Sequence, residues 1–205
     1  MRLHHQCFHN FHSSLAPSFQ LHSITRLKSI MTEAHELFSS ILAKEDGVHV
    51  INAPSREHRP ARKSIFLAGT TSATGQQDWR QTLVQSLSQF PVDIYNPARP
   101  DWDATWREDF SDSRWAEQVE WELEMQDAAD LVVILFHGVT AAPISLLELG
   151  LCVRSGKAVV CALDGYSKRG NVEAVCRRYG ATFVTTEAEL ATTVTGRLMR
   201  AESGL

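Results

Sequence analysis

Long apolar runs are missing from this chain of 205 residues. No window approaches the ~20 consecutive apolar side chains that a membrane-spanning helix needs, which excludes an integral membrane protein built on one. Cysteine is scarce, at four residues. Cys7, Cys152, Cys161 and Cys176 form no CxxC and no zinc-ligand spacing, and three of them lie in apolar stretches. They read as reduced core thiols in an intracellular, cytoplasmic protein rather than as a disulfide framework. A basic footprint is missing as well. The formal net charge is −4, and residues 101–130 hold eleven acids against only Arg107 and Arg114. A polyanion such as duplex DNA requires the opposite balance, so a nucleic-acid partner is excluded. What remains is an ordinary globular composition, 43% hydrophobic and 21% charged, sufficient for one domain with a single core plus a tail.

The tail comes first. Residues 1–31 are rich in His, Ser and Phe, contain Arg2, Arg26 and Lys28, and carry no acid. They lack the apolar core of a secretory signal, and read either as a disordered leader or as a mitochondrial transit peptide. Nothing fixes the geometry of His4, His5, His9 and His12, so this cluster is not read as a metal site. Thr32 caps a helix through about Lys44 with Leu37, Ile41 and Leu42 on one face. A short strand on the apolar run Val48–Ile51 and a basic proline-containing linker, NAPSREHRPARK, complete a preamble over 32–63. The basic cluster Arg56, Arg59, Arg62 and Lys63 reads as a solvated linker that offsets an acidic body.

From Ser64 the pattern becomes regular. Apolar runs at 65–68, 92–95, 131–136, 158–163 and 182–184 predict strands. Helical periodicity separates them: Trp79/Leu83/Leu87, Val119/Leu123, Leu146/Leu147/Leu151, Val172/Val175/Cys176 and Leu190/Val194/Leu198. Strands apolar on both faces, alternating with helices, predict an α/β fold over 64–200. This is a flavodoxin-like or Rossmann-like three-layer sandwich around a five-stranded, mainly parallel sheet. Such sheets bind ligands beyond the carboxyl ends of their strands, where the strand order reverses.

The residues that follow each strand therefore carry the functional argument. After the first lies Gly69-Thr70-Thr71-Ser-Ala-Thr-Gly75, whose two glycines and four hydroxyls suit either a phosphate- or sugar-holding loop or a polar turn that starts a helix. It is neither GxGxxG nor a Walker loop. After the second strand come Asn96, Arg99, Trp102 and Trp106 in a proline-stiffened loop. Either the tryptophans and Arg99 wall a pocket that stacks a flat ring, or they cover the sheet edge while Arg99 pairs with Asp101 or Asp103. The helix before the third strand is mostly a solvated acidic face, with Trp121 as its anchor. After the third strand, Glu148 stands among leucines in PISLLELGL. A carboxylate there is costly to bury without partners, so it is either a hydrogen-bonded core residue or a site residue. A desolvated, ionised carboxylate is what attack on a glycosidic carbon requires.

The ordered set SIFLAG (64–69), DWR (78–80), IYNPARPDWDATW (94–106), QVEWELE (118–124), AADLVV (128–133), PISLLELG (143–150), GKAVVC (156–161) and RGNVEAVCRRYG (169–180) resembles the nucleoside 2-deoxyribosyltransferase-like family. The resemblance is closest to its eukaryotic, largely fungal-type branch, and covers roughly residues 48–190. It implies a flavodoxin-like fold and cleavage of the N-glycosidic bond of a nucleoside or nucleoside monophosphate, without cofactor or metal. It assigns the nucleophile to Glu148 of Glu148-Leu149-Gly150 and the base-handling acid to Glu122. The strand-end residues Gly69, Thr70, Thr71, Asp78, Asn96, Arg99 and Trp102, together with Ser145, are expected around the substrate, and the resemblance adds Asn171. Asn171 resembles an asparagine that reaches a neighbouring subunit's site in the transferases, so a homodimer or higher homo-oligomer is implied. Water as acceptor gives a hydrolase, and a second base gives a transferase.

The chain departs from the family's pattern at three places. Phe66 stands where relatives carry a tyrosine whose hydroxyl orients the nucleophile, Ala142 stands for an Asp or Ser, and PISLL replaces a glycine-containing turn. Ser145 offers a substitute hydroxyl. Two other readings use the same pocket: a non-catalytic nucleotide-binding module, which these departures favour, and an NAD-processing glycohydrolase.

Overall fold

The computed structural model describes residues 47–57, 59, 62–71 and 74–202. The leader with its histidines and Cys7, and the helix expected over 32–44, lie outside the described residues. The described chain runs β1 (His49–Asn52), β2 (Lys63–Gly69), α1 (Trp79–Ser86), β3 (Val92–Asn96), α2 (Ser113–Ala128), β4 (Leu131–Phe136), α3 (Pro143–Cys152), β5 (Ala158–Ala162), α4 (Arg169–Tyr179), β6 (Thr182–Val184) and α5 (Glu187–Glu202).

The strands form one sheet in the order β1-β3-β2-β4-β5-β6, and every pairing is parallel. Alternation along each strand divides the core in two. Phe66, Ala68, Val132, Ile134 and Phe136 face one layer, built from Trp121 of α2, Leu149 and Cys152 of α3, and Val172 and Cys176 of α4. Ile65, Leu67, Leu131, Val133 and Leu135 face the other, built from Trp79 and Leu83 of α1 and Leu190, Val194 and Leu198 of α5. This is the expected flavodoxin- or Rossmann-like three-layer sandwich. Cys152, Cys161 and Cys176 are free and buried, and burial pushes the thiols of the first two up to about 12. Among the described residues no helix is long and apolar enough to cross a membrane.

The strand count departs from expectation: six, not five. The short run read as part of a preamble is β1, which pairs in register with β3 from His49↔Asp93 to Asn52↔Asn96. Its contribution is to close an edge that would otherwise expose a charged strand. Asp93 is buried in β3, and Arg62 of the linker reaches its carboxylate at 2.9 Å. The linker's basic side chains are correspondingly tied down rather than simply solvated. Arg56 pairs with Glu124 at 2.9 Å, and Lys63 with Asp130 at 3.0 Å.

The phase of α3 also differs from the leucine pattern. Leu147 and Leu151 point to solvent, while Ser145, Leu149 and Cys152 are buried. The helix is entered through Ala142 in the left-handed region (φ 42°) followed by Pro143. That fixed entry, rather than hydrophobicity alone, sets which face meets the sheet. On α2 the inward face is likewise Gln118, Trp121 and Gln126, with Leu123 exposed. Trp121 is fully buried. Its indole N–H donates to Ser55 O at 2.7 Å, and its ring packs near Phe66 and Tyr95.

Candidate functional site

β3 and β4 flank β2 on opposite sides, so the strand order reverses between β2 and β4. The crevice beyond their carboxyl ends is where such sheets hold ligands. The sequence meets this geometry with Gly69. Its φ of 117° is closed to ordinary side chains, and a Cβ there would lie 2.3 Å from Leu135 O. Only glycine lets β2 approach β4 so closely. Thr70 follows at once. Its N–H donates to Leu135 O at 2.9 Å, and its hydroxyl accepts from His137 N–H at 3.0 Å and meets the Thr140 hydroxyl at 2.9 Å.

The DWR triplet then folds back onto this strand end. Asp78 caps α1 by accepting from Arg80 N–H at 3.0 Å. The Trp79 indole donates to Thr70 O at 3.1 Å. The Arg80 guanidinium donates to Thr70 O at 2.8 Å and Gly69 O at 3.2 Å, and lies 3.7 Å from the Asp78 carboxylate. Arg80 is buried, and its Nε has no hydrogen-bond partner among the described residues.

Two cavities flank this arginine. One, of about 320 Å³, is walled by Thr70, Thr71, Thr74, Asp78, Arg80 and His137, with Glu187 at its rim. The other, of about 530 Å³, runs between α1 and the ends of β1 and β3, past Asn52, Asp78, Arg80, Asn96 and Arg99. Asn96 donates to Asn52 Oδ1 at 3.0 Å, and its own Oδ1 accepts from Ala98 N–H. The first cavity is lined by the Thr70, Thr71 and Thr74 hydroxyls and the Gln76 and Gln77 amides, whereas the second mixes amides and charges with Val50, Val84, Ala98 and Pro100.

On the opposite layer α2 and α3 bring Glu122 and Glu148 into one electrostatic cluster with Arg80. Burial and the nearby Glu122 charge raise Glu148 to about 7, while Ser145 one turn earlier and the Arg80 charge pull the other way. Burial also raises Glu122, opposed by a hydrogen bond from Gln118 and again by Arg80. Gln118 Nε2 donates to Glu122 Oε1 at 2.8 Å and to Pro97 O at 2.9 Å, so it ties α2 to the β3 loop. Gln126 donates to Glu148 O at 3.2 Å and ties α2 to α3. Glu148 feels the Glu122 charge through space, so ionising both desolvated carboxylates together is costly. Glu148 is thus a desolvated carboxyl with a proton affinity near neutrality.

The structure therefore gathers Thr70, Thr71, Asp78 and Asn96 around the two cavities, with the Gly69 carbonyl holding Arg80 and lining neither, and sets Ser145 against Glu148. Neither carboxylate lines either cavity, and Arg80 stands between. Arg99 lines the second cavity but is committed to Asp101 at 2.7 Å and Glu117 at 2.8 Å, over the Trp106 ring. Asp103, the other acid considered for it, instead caps a turn at Thr105 N–H. Trp102 is half-exposed and packs tilted at 51° against Trp106 with centroids 5.0 Å apart, outside both cavities. Asn171 is exposed on α4 and lines neither.

Four residues of the cluster were not singled out from sequence: Arg80, Gln118, His137 and Thr140. His137 directly follows the β4 run, so the strand-end rule applied to β4 as it was to β2 points to it. Arg80 lies inside DWR, where one buried cation after a capping Asp is the signal.

Comparison with curated proteins returns no matching relative. The family described as nucleoside 2-deoxyribosyltransferase like matches residues 62–166, with no assignment to the fungal-type branch. That match contains β2 through β5, the Arg80–Glu122–Glu148 cluster and most of both cavity walls, and ends before Asn171. It spans about half of the 205 residues, and this chain belongs to the nucleoside 2-deoxyribosyltransferase-like family.

Proposed function

We propose that this protein cleaves the N-glycosidic bond of a nucleoside or nucleoside monophosphate through a covalent glycosyl-Glu148 intermediate. The family supports glycosyl transfer or hydrolysis on nucleosides in general. The observation that carries the finer reading is the desolvated Glu122–Glu148 pair, two carboxyls of one cluster held in different environments.

In this mechanism the sugar C1′ sits over Glu148. The C1′–N bond breaks with its electrons leaving on the base, the C1′–Oε bond to Glu148 forms, and Glu122 delivers its proton to the departing base. A water or a second base then attacks C1′ and gives its proton to the Glu122 carboxylate, and the Glu148 oxygen leaves. Attack starts from the ionised form of Glu148, which a proton affinity of about 7 leaves substantially populated at and above neutral pH. The cavities beside Arg80 supply substrate contacts from Thr70, Thr71, Asp78 and Asn96. In the same reading the chain works as a homo-oligomer, with exposed Asn171 reaching a neighbouring site as the resemblance implies.

The test is release of free base from nucleosides, deoxynucleosides, their 5′-monophosphates and NAD, with and without an acceptor base. Base release that Glu148→Gln abolishes, in a folded variant that still binds, is the expected result. Unchanged turnover in Glu148→Gln overturns the nucleophile assignment. A second reading, a non-catalytic nucleotide-binding module, is favoured by one observation: neither carboxylate lines either cavity. Silence across the panel, with thermal stabilisation by a single nucleotide, is its signature.

A further inference from the structure

Nine large hydrophobic side chains stand exposed among the described residues, and five of them share one face. Ile144, Leu147 and Leu151 fall at i, i+3 and i+7 of α3, a stripe on the side away from the sheet, opposite buried Ser145, Leu149 and Cys152. The neighbouring helices widen it. Gln126 ties α2 to α3 at Glu148 O, with exposed Leu123 one turn before that contact. On the other side Arg154, just past α3, donates to the Tyr179 hydroxyl of α4 at 2.9 Å and covers its ring. Leu123, Ile144, Leu147, Leu151 and Tyr179 are 42–65% exposed. Together they offer roughly 500 Å² of mostly apolar surface, about what one partner contributes to a standard homodimer interface of ~800 Å² a side that is ~65% apolar.

The two edges of this face carry opposite charge. Glu120 and Asp127 are exposed on α2, and Arg154 and Arg178 beyond α3 and on α4. Lys157 bonds the Asp127 main-chain oxygen, and neither the Asp127 carboxylate nor Arg178 has an ion-pair partner among the described residues. The three helices run the same way, because the strands they connect are all parallel. Asp127 and Arg178 are each the next-to-last residue of their helix, so they lie at the same end of the sheet.

Resting on the homo-oligomer reading above, we propose that this face receives a second copy of the chain, α3 on α3, about a two-fold axis parallel to that helix. Such an axis turns each acidic edge toward the other copy's basic edge and sets Asp127 of one opposite Arg178 of the other. The alternative two-fold in the same interface, perpendicular to α3, lays α2 on α2 and acid on acid. The parallel axis also carries α4 of the second copy, with Asn171 near its start, along the seam of α2 and α3 where Glu122 and Glu148 lie.

The experiment is sedimentation velocity of the full chain from about 1 to about 100 μM, beside thermal unfolding. The wild type is expected to sediment as a dimer. Leu147→Glu puts a charge into the stripe of both copies and is expected to raise the dissociation constant roughly a hundredfold or more, with the far-UV circular dichroism unchanged because the position is exposed. Asp127→Lys and Arg178→Glu are each expected to raise it roughly threefold to tenfold, and the two together to restore it.

A wild type that is monomeric throughout overturns the proposal. If Leu147→Glu then lowers Tm, another segment of the same chain covers the face, and if Tm stays, a different partner does. A dimer that Leu147→Glu leaves intact overturns this interface while the homo-oligomer reading stands. Charge reversals that the double variant does not repair overturn the parallel axis. Base release measured on the same samples reports separately on the glycosidic reading, since a dimer that releases no base still has its interface.

Discussion

Glu148→Gln separates the electrostatics of the site from its chemistry, because the native fold itself holds the carboxyl away from its ordinary ionisation. Glu148 is raised from 4.5 to about 7 by burial and by Glu122. The folded state therefore binds a proton more tightly than the unfolded chain, and stability falls as pH rises between those two values. Below pH 4.5 the contribution is fully present, and it is lost as pH climbs through 7. A tenfold change in proton affinity is worth about 1.4 kcal/mol, so the wild type loses about 3 kcal/mol across this window from Glu148 alone. Glu122 is raised too and acts with the same sign.

Gln is an uncharged near-isostere. Urea unfolding at pH 4 is expected to give nearly the same stability for variant and wild type. At pH 8.5 the variant is expected to be more stable by about 3 kcal/mol, roughly 10 °C in Tm for a domain of this size. Unfolding midpoints measured at half-unit steps of pH, at constant ionic strength, read the divergence directly. Parallel curves for the two proteins refute the claim that Glu148 is desolvated in the native state. A catalytically silent variant that is the more stable protein above neutral pH is what a functional carboxylate held against its solvation preference should give.

Three further substitutions probe the frame that holds the site. Gly69→Ala places a Cβ against Leu135 O at a φ closed to alanine; it is expected to cost about 2 kcal/mol or more in urea unfolding and to loosen Arg80, and an unperturbed Tm contradicts this. Trp121→Ala removes the fully buried ring between Phe66 and Tyr95, with an expected loss of about 3–5 kcal/mol by the same measurement. Arg62→Ala leaves Asp93 buried without its 2.9 Å partner, an expected loss of about 3 kcal/mol. Adding Asp93→Asn should recover most of that loss, and a double variant no more stable than Arg62→Ala shows that the pair is not the cause.

Much of this molecule was legible along the chain. The runs IFLA, LVVILF and AVVCAL are apolar at every position, which between helix-length amphipathic segments means burial on both faces, and those spacers leave a parallel sheet as the simplest arrangement. Glu148 was visible because a carboxylate among leucines conflicts with the helix around it. The place of the edge strand β1 was not: the short strand was read as part of a preamble, because the four residues of HVIN do not say which strand they join and their partner β3 lies more than forty residues on. The face of α3 was misjudged for a related reason: leucines at 146, 147 and 151 satisfy a helical stripe, but the left-handed entry at Ala142 turns Ser145, Leu149 and Cys152 inward.

Sequence by itself therefore determined the layers, the elements and the outlying carboxylate, since these follow from local periodicity and the cost of burying charge. The tertiary structure alone decided what surrounds that carboxylate. Glu122, Glu148 and Arg80 lie on three helices from both layers of the sandwich, and only the reversal of strand order at β2 and β4 brings them together. The proton affinity of the pair is a property of that convergence, because desolvation and charge act through space and leave no trace in the spacing of residues along the chain.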